Sequence, residues 1–208
     1  MNNGLHLDEV TLSKSELTSA AQVASRAFFD DPFFRYLSPS DRLRERGLAI
    51  FFRANLAHLG EGARVITMRS DDNAIQGVAG WLPTDSYPQS IGTQLAQIPG
   101  TLRALYRRPR ALIDGNKYLT QVAKVHPKEP HWYLYLLVAD PSIQRSGIGT
   151  TLMEHGLAHV DQEGVGSYLE TQKEDNLAYY QRFGYELRAT LRPVKEGPPL
   201  YTMWRNPR

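Results

Sequence analysis

Apolar residues along the chain recur with two different periods, and the alternation of those periods predicts the element order. Residues 5–12 alternate loosely and read as a first strand. Behind Ser13-Lys14-Ser15-Glu16, a capping-box pattern, Leu17, Ala20, Ala21, Ala24, Ala27 and Phe28 follow at helical spacing. This helix is expected to halt at Asp30-Asp31-Pro32. A second helical pattern covers 40–59 and closes at Gly60. Strand-like runs at 63–69 and 74–82 flank the turn-rich Ser70-Asp71-Asp72-Asn73, which predicts a hairpin. Helical spacing returns at 86–125, interrupted by Pro99-Gly100 and Pro109, and reads as two or three inserted helices. A strand at 131–139 precedes a helix reaching Glu163, with Leu152, Met153, Leu157 and Val160 on one face and Gly164 and Gly166 ending it. A short strand at 167–171, a compact helix at 176–183 and strands at 185–192 and 200–205 complete the chain. Strands paired as hairpins at both ends, but alternating with helices between, predict an α+β fold: a mixed sheet with helices on both faces. No linker divides the pattern, so residues 1–208 read as a single domain with a helical insertion at about 86–125.

One junction carries more chemical information than the rest. The apolar run Leu136-Leu137-Val138-Ala139 ends at Asp140-Pro141, passes through Gln144-Arg145-Ser146-Gly147-Ile148-Gly149 and enters a helix. A helix start leaves backbone N–H groups unpaired at the positive end of its dipole, and glycines let a phosphate reach them. The segment therefore reads as a pyrophosphate cradle. A Walker loop is excluded, because no lysine lies between Lys128 and Lys173. A dinucleotide fingerprint wants a third glycine where Leu152 stands, although Glu170 occupies the position of its acidic residue. Coenzyme A is the third reading.

Composition narrows the chemistry further. With no cysteine, the chain has no disulfide, no thiolate metal site and no cysteine nucleophile. A formal charge of +2 does not imply a nucleic-acid partner. The basic run Arg103-Ala104-Leu105-Tyr106-Arg107-Arg108-Pro109-Arg110 reads first as a solvated helix end, with a basic rim for a phosphorylated ligand or an RNA contact as alternatives. His155 and His159 lack the glutamate that zinc-protease spacing requires, since Gly156 follows the first histidine. Neither a signal peptide nor a membrane-spanning stretch is expected, which makes the cytoplasm the default location.

Two segments carry a family resemblance. Pro141-Ser142-Ile143-Gln144-Arg145-Ser146-Gly147-Ile148-Gly149 is similar to the Gln/Arg-x-x-Gly-x-Gly motif of the GNAT superfamily of N-acetyltransferases. Asn176-Leu177-Ala178-Tyr179-Tyr180-Gln181-Arg182-Phe183-Gly184-Tyr185 resembles its second signature. Lys128-Glu129-Pro130-His131-Trp132, Tyr168-Leu169-Glu170-Thr171 and Glu196-Gly197-Pro198 are similar to the branch containing puromycin N-acetyltransferase. The chain departs from the motif at Arg145, where the family usually has glycine, and at Ala139, where a larger β-branched residue is common.

The resemblance implies a GNAT-like, mostly antiparallel sheet in a three-layer αβα arrangement. It also implies acetyl-CoA as cosubstrate and direct transfer to a primary amine of a small molecule such as an aminonucleoside. Cofactor contacts are then expected at Leu137, Val138 and Ala139, at Gln144, Arg145, Ser146, Gly147, Ile148, Gly149 and Thr150, and at Asn176, which is also expected to cap its helix. Tyr180 matches the tyrosine that faces the sulfur, and Tyr179 reads as packing. Glu170, ending a strand that faces the loop, is the candidate general base. Asp30 and Asp31 are either turn residues or part of the substrate wall. The alternatives are a non-catalytic acyl-CoA-binding module and a protein lysine or N-terminal acetyltransferase. No metal, nucleic acid or membrane is expected, and a homodimer is left open.

Overall fold

The computed structural model describes residues 4–87, 91–105, 108–143 and 146–208. Its frame is a seven-stranded sheet in the order β1-β2-β3-β4-β5-β7-β6. The strands are β1 (Leu5–Glu9), β2 (Arg64–Ser70), β3 (Ile75–Leu82), β4 (His131–Ala139), β5 (Gly166–Thr171), β6 (Glu186–Leu191) and β7 (Leu200–Arg205). Every neighbouring pair is antiparallel except β4 and β5, which are joined through a crossover helix. Helices α1 (Lys14–Ala27), α2 (Pro32–Leu37), α3 (Asp41–Ala57), α4 (Ile91–Leu105) and α5 (Pro109–Val125) precede β4; α6 (Ile148–Glu163) and α7 (Asp175–Gln181) follow it.

Each sheet face buries its own cluster. Ala20, Ala21 and Ala24 of α1, with Leu48 and Phe52 of α3, cover Val78, Leu136 and Val138 on one side. Leu152, Met153 and Leu157 of α6 cover Ala79, Leu134 and Leu169 on the other. The capping box of α1 forms as expected: Ser13 N–H donates to Glu16 at 2.8 Å, and Glu16 N–H returns to Ser13 Oγ at 3.4 Å.

Two elements differ from the sequence expectation. Asp30-Asp31-Pro32 does not end the helical region, because Asp31 starts α2: its carboxylate accepts from Phe33 N–H at 3.0 Å, and Pro32 follows as the first helical residue. Nor does Pro99-Gly100 break α4, which runs through it. A Cβ on Gly100 would lie 2.5 Å from that of Ala54, so the missing side chain lets α4 lie close on α3, and that packing carries the helix past the proline.

Gly156 is where α6 touches the sheet most closely, and a Cβ there would fall 2.4 Å from the buried Trp81 ring. Gly156→Ala gains about 1 kcal/mol of helix propensity but overpacks a rigid indole, at a cost of about 1–3 kcal/mol. The ring wins. The thermal midpoint is expected to fall by several degrees in a calorimetric scan.

Candidate active site

The site begins where two parallel strands part. β4 and β5 pair only from His131↔Gly166 to Leu134↔Leu169, yet β4 continues to Ala139 and β5 to Thr171. On its other side β4 is bulged: Trp81 pairs with Leu134 and Gly80 with Leu136, leaving Tyr135 as the extra residue. Beyond the bulge, Asp140 N–H donates to Gln76 C=O at 2.8 Å. The alternation of an antiparallel ladder then turns the main-chain groups of Val138 toward β3, and those of Leu137 and Ala139 away from it into the wedge. An extended ligand can pair with such an unfilled edge. Asp140 fixes the strand end, accepting from Arg26 Nε at 2.9 Å and from Ser142 N–H at 3.0 Å.

The glycine loop meets α6 at the same end. Gly147 is the N-cap with φ +89°, a left-handed conformation that L side chains rarely adopt, and no side chain caps the helix. The first-turn amides of Ile148, Gly149 and Thr150 are therefore available to an anion, with exposed Ser146 just before them. A Cβ on Gly149 would lie 2.9 Å from the Tyr179 hydroxyl, which is buried without a hydrogen-bond partner. Gln144 and Arg145 lie outside the described residues.

Glu170 sits one residue beyond the last β4–β5 pair. Tyr133, Tyr168 and Glu170 share a sheet face, and the Tyr133 hydroxyl donates to Glu170 Oε2 at 2.5 Å. Burial pushes the Glu170 carboxyl up to about 7, while the Tyr133 and Tyr168 hydroxyls work in the other direction. Its second oxygen, Oε1, is buried with no partner. Around it, the Tyr87 ring packs 5.4 Å from Tyr133 and 4.6 Å from His126, and Tyr135 donates to Asn55 Oδ1 at 2.7 Å. A carboxylate poised near neutrality in an aromatic enclosure is suited to take a proton from an amine.

Tyr180 is buried on the opposite face, among Tyr179, Tyr185, Leu152 and Met153. Burial raises its hydroxyl well above the ordinary phenol value. Full proton transfer to a thiolate, near balance for an ordinary phenol, is thereby disfavoured, and hydrogen-bond donation becomes the chemistry this position suits. Asn176 does not cap α7. The N-cap is Glu174, and the Asn176 amide donates instead to Thr171 Oγ1 at 3.0 Å, tying α7 to the end of β5. Asp31 is buried as the α2 cap, and Asp30 pairs with Arg35 at 3.1 Å. A separate cavity of about 400 Å³ lies between α2, α3, α4 and α5, walled by residues such as Phe34, Phe51 and Leu119; none of Glu170, Tyr180 and Gly147 lines it.

Alongside this geometry, the chain itself matches a known family model. Residues 30–185 match that of the acetyltransferase (GNAT) family. The chain belongs to this family. Solved structures share the fold. Histone acetyltransferase HPA2 and related acetyltransferase from Corynebacterium glutamicum is 22% identical, with 99% of this chain and 97% of that one covered and a TM-score of 0.73. Arylalkylamine N-acetyltransferase 2 from Aedes aegypti is 13% identical, with 98% and 99% covered and a TM-score of 0.58. PaiA N-acetyltransferase from Thermoplasma acidophilum, crystallised with coenzyme A, is 11% identical, with 97% and 99% covered and a TM-score of 0.57.

The protein is thus an acetyltransferase that draws its acetyl group from acetyl-CoA. Its own features fit that cosubstrate: a helix start at Gly147 with no side-chain cap, main-chain groups of Leu137 and Ala139 turned into the fork, and the buried Tyr179 hydroxyl against Gly149. No helix among the described residues is long and apolar enough to cross a membrane. Tyr133 and His126 enter the site from structure alone, whereas Tyr168 and Tyr179 stood in the sequence only within the resembling segments, Tyr179 as a packing residue. The trace the tyrosines leave is their density, since a hydroxyl needs a partner when its ring is buried; His126 leaves none.

Proposed function

We propose that the protein transfers the acetyl group of acetyl-CoA to the primary amine of a small molecule by direct attack in a ternary complex. The observation that carries the reading is Glu170, raised to about 7 and placed in the β4–β5 fork. When bound, acetyl-CoA supplies a thioester carbonyl activated toward amines. The amides of Ile148, Gly149 and Thr150 take the pyrophosphate, and the resemblance assigns Gln144, Arg145 and Ser146 to the same contact. The Leu137 and Ala139 main chain holds the pantetheine, Val138 keeps β4 on β3, and Asn176 orders the wall opposite. The Ala139 N–H stabilises the developing oxyanion. Glu170 takes one proton from the ammonium. As the new C–N bond forms and the C–S bond breaks, a second amine proton passes to sulfur, which Tyr180 hydrogen-bonds, and the third stays on the amide nitrogen. The resemblance to the puromycin N-acetyltransferase branch supports a small acceptor, and residues 1–208 are read as one cytoplasmic catalytic unit with a helical insertion at about 86–125.

Coenzyme A release from acetyl-CoA, measured with 2-phenylethylamine, spermidine and a lysine-containing peptide, tests the reading. Small amines are expected to be turned over with initial-velocity lines that intersect. Preference for the peptide, or thiol release that ignores every amine, contradicts it.

A further inference from the structure

Three buried polar atoms around Glu170 keep acceptor capacity that no hydrogen bond of the fold fills: Glu170 Oε1, His126 Nδ1 and the Tyr168 hydroxyl, whose own proton is turned toward Glu170. Buried polar groups are ordinarily satisfied, so a group of orphans at one place calls for an occupant. The rings bring them together. His126 packs edge-on against Tyr168 at 5.0 Å and against Tyr133 at 5.1 Å, and Tyr133 is bonded to Glu170.

The hydrogen bonds fix the character of the His126 nitrogen. His131 Nδ1 lies 2.6 Å from the Glu129 carbonyl, an acceptor, so Nδ1 carries the His131 proton. In a neutral ring its Nε2 is then an acceptor, and the 3.0 Å contact between the two Nε2 atoms requires His126 Nε2 to donate. That leaves His126 Nδ1 with a lone pair. Burial holds both imidazoles neutral, His126 down to about 4.

A carboxylate oxygen, a phenol oxygen and an imidazole nitrogen are three acceptors inside an aromatic enclosure. A primary ammonium has three N–H donors. We propose that His126 Nδ1, Glu170 Oε1 and the Tyr168 hydroxyl form the acceptor subsite, each receiving one N–H of a primary ammonium, with His131 holding His126 in the required tautomer. The inference rests on the small-amine reading and adds to it a selectivity: an N-methylated amine leaves one acceptor unpaired in the buried site and is rejected. Aromatic walls at Tyr87, Tyr133 and Tyr168 suit the cation and a flat substituent. Specificity of this kind follows from the cost of leaving a buried polar group unmatched.

The test compares 2-phenylethylamine with N-methyl-2-phenylethylamine at saturating acetyl-CoA. The wild-type enzyme is expected to favour the primary amine at least tenfold in kcat/KM. His126→Leu, which removes the acceptor, is expected to raise KM for the primary amine about tenfold and to narrow the preference. His126→Asn, which returns an acceptor near Nδ1, should recover most of the loss. Acetyl-CoA should raise the thermal midpoint of all three proteins equally, which shows that the variants fold and bind cosubstrate. Turnover of 2-phenylethylamine with an unchanged KM in His126→Leu, or equal losses for the two amines, overturns the subsite alone. No turnover of either amine despite the acetyl-CoA shift overturns the subsite and the small-amine reading together.

Discussion

Glu170→Gln lowers kcat for amine acetylation by about 10²–10⁴, the range typical for removal of a general base, while KM for acetyl-CoA stays within threefold. Gln keeps the shape of the side chain and still accepts from Tyr133, so the loss isolates proton removal rather than packing. The same change has an opposite effect on stability. The Glu170 carboxyl is raised by burial to about 7 from its ordinary 4.5. The folded state therefore holds this proton more tightly than the unfolded chain. That contribution is fully present below pH 4.5 and is lost as pH rises through 7, where the charge is forced into the enclosure. Glu170→Gln should raise the unfolding midpoint at pH 8 and leave it nearly unchanged at pH 5. An inactive variant that is less stable at pH 8 would make Glu170 a structural residue.

Gly147→Glu weakens acetyl-CoA binding at least a hundredfold in a calorimetric titration. Two effects combine. At φ +89° the position strains any L side chain, so the loop that presents the α6 amides must shift. A carboxylate at the N-cap also occupies the positive end of the helix dipole with the wrong ligand, repelling a pyrophosphate from it. A Cβ at Gly147 meets no atom within 4 Å, so the fold is expected to survive and the defect to be confined to binding. Gly147→Ala separates the terms: strain alone should cost much less than strain with charge. Unchanged affinity in Gly147→Glu would remove the loop from the cosubstrate site.

How much of this was legible in the sequence depended on whether a feature left a period or a punctuation mark. The helix 148–163 carries a clear period, the strands 131–139 and 200–205 are apolar runs set off by proline and polar stretches, and all three stand where the pattern put them. α2 is only six residues long, too short for a helical period to show, and its Asp-Pro start reads equally as a stop. The bulge at Tyr135 is invisible because His131–Leu137 is aromatic or aliphatic almost throughout. A change of parity in a strand apolar on both faces alters no pattern, yet it re-aims Leu137 and Ala139 into the fork. Asn176 has a side chain suited to capping α7, but Thr171 at the end of β5 offers it a hydroxyl instead. Glu170 was legible as a strand-end acid opposite the glycine loop. Its tyrosine and histidine surroundings were not, since Tyr133 and Tyr168 sit at alternate strand positions like ordinary core residues, and His126 arrives from the end of α5.

The pH dependence of kcat, followed by coenzyme A release with 2-phenylethylamine and acetyl-CoA both saturating, tests the central claim most directly. It reports ionisations in the ternary complex rather than those of free amine. With Glu170 as base, kcat rises through an apparent pKa near 7 and levels above pH 8, and Glu170→Gln loses this limb. A wild-type kcat that stays flat between pH 5.5 and 8.5, or a limb that persists in Glu170→Gln, would contradict the assignment of the fork carboxylate as the base.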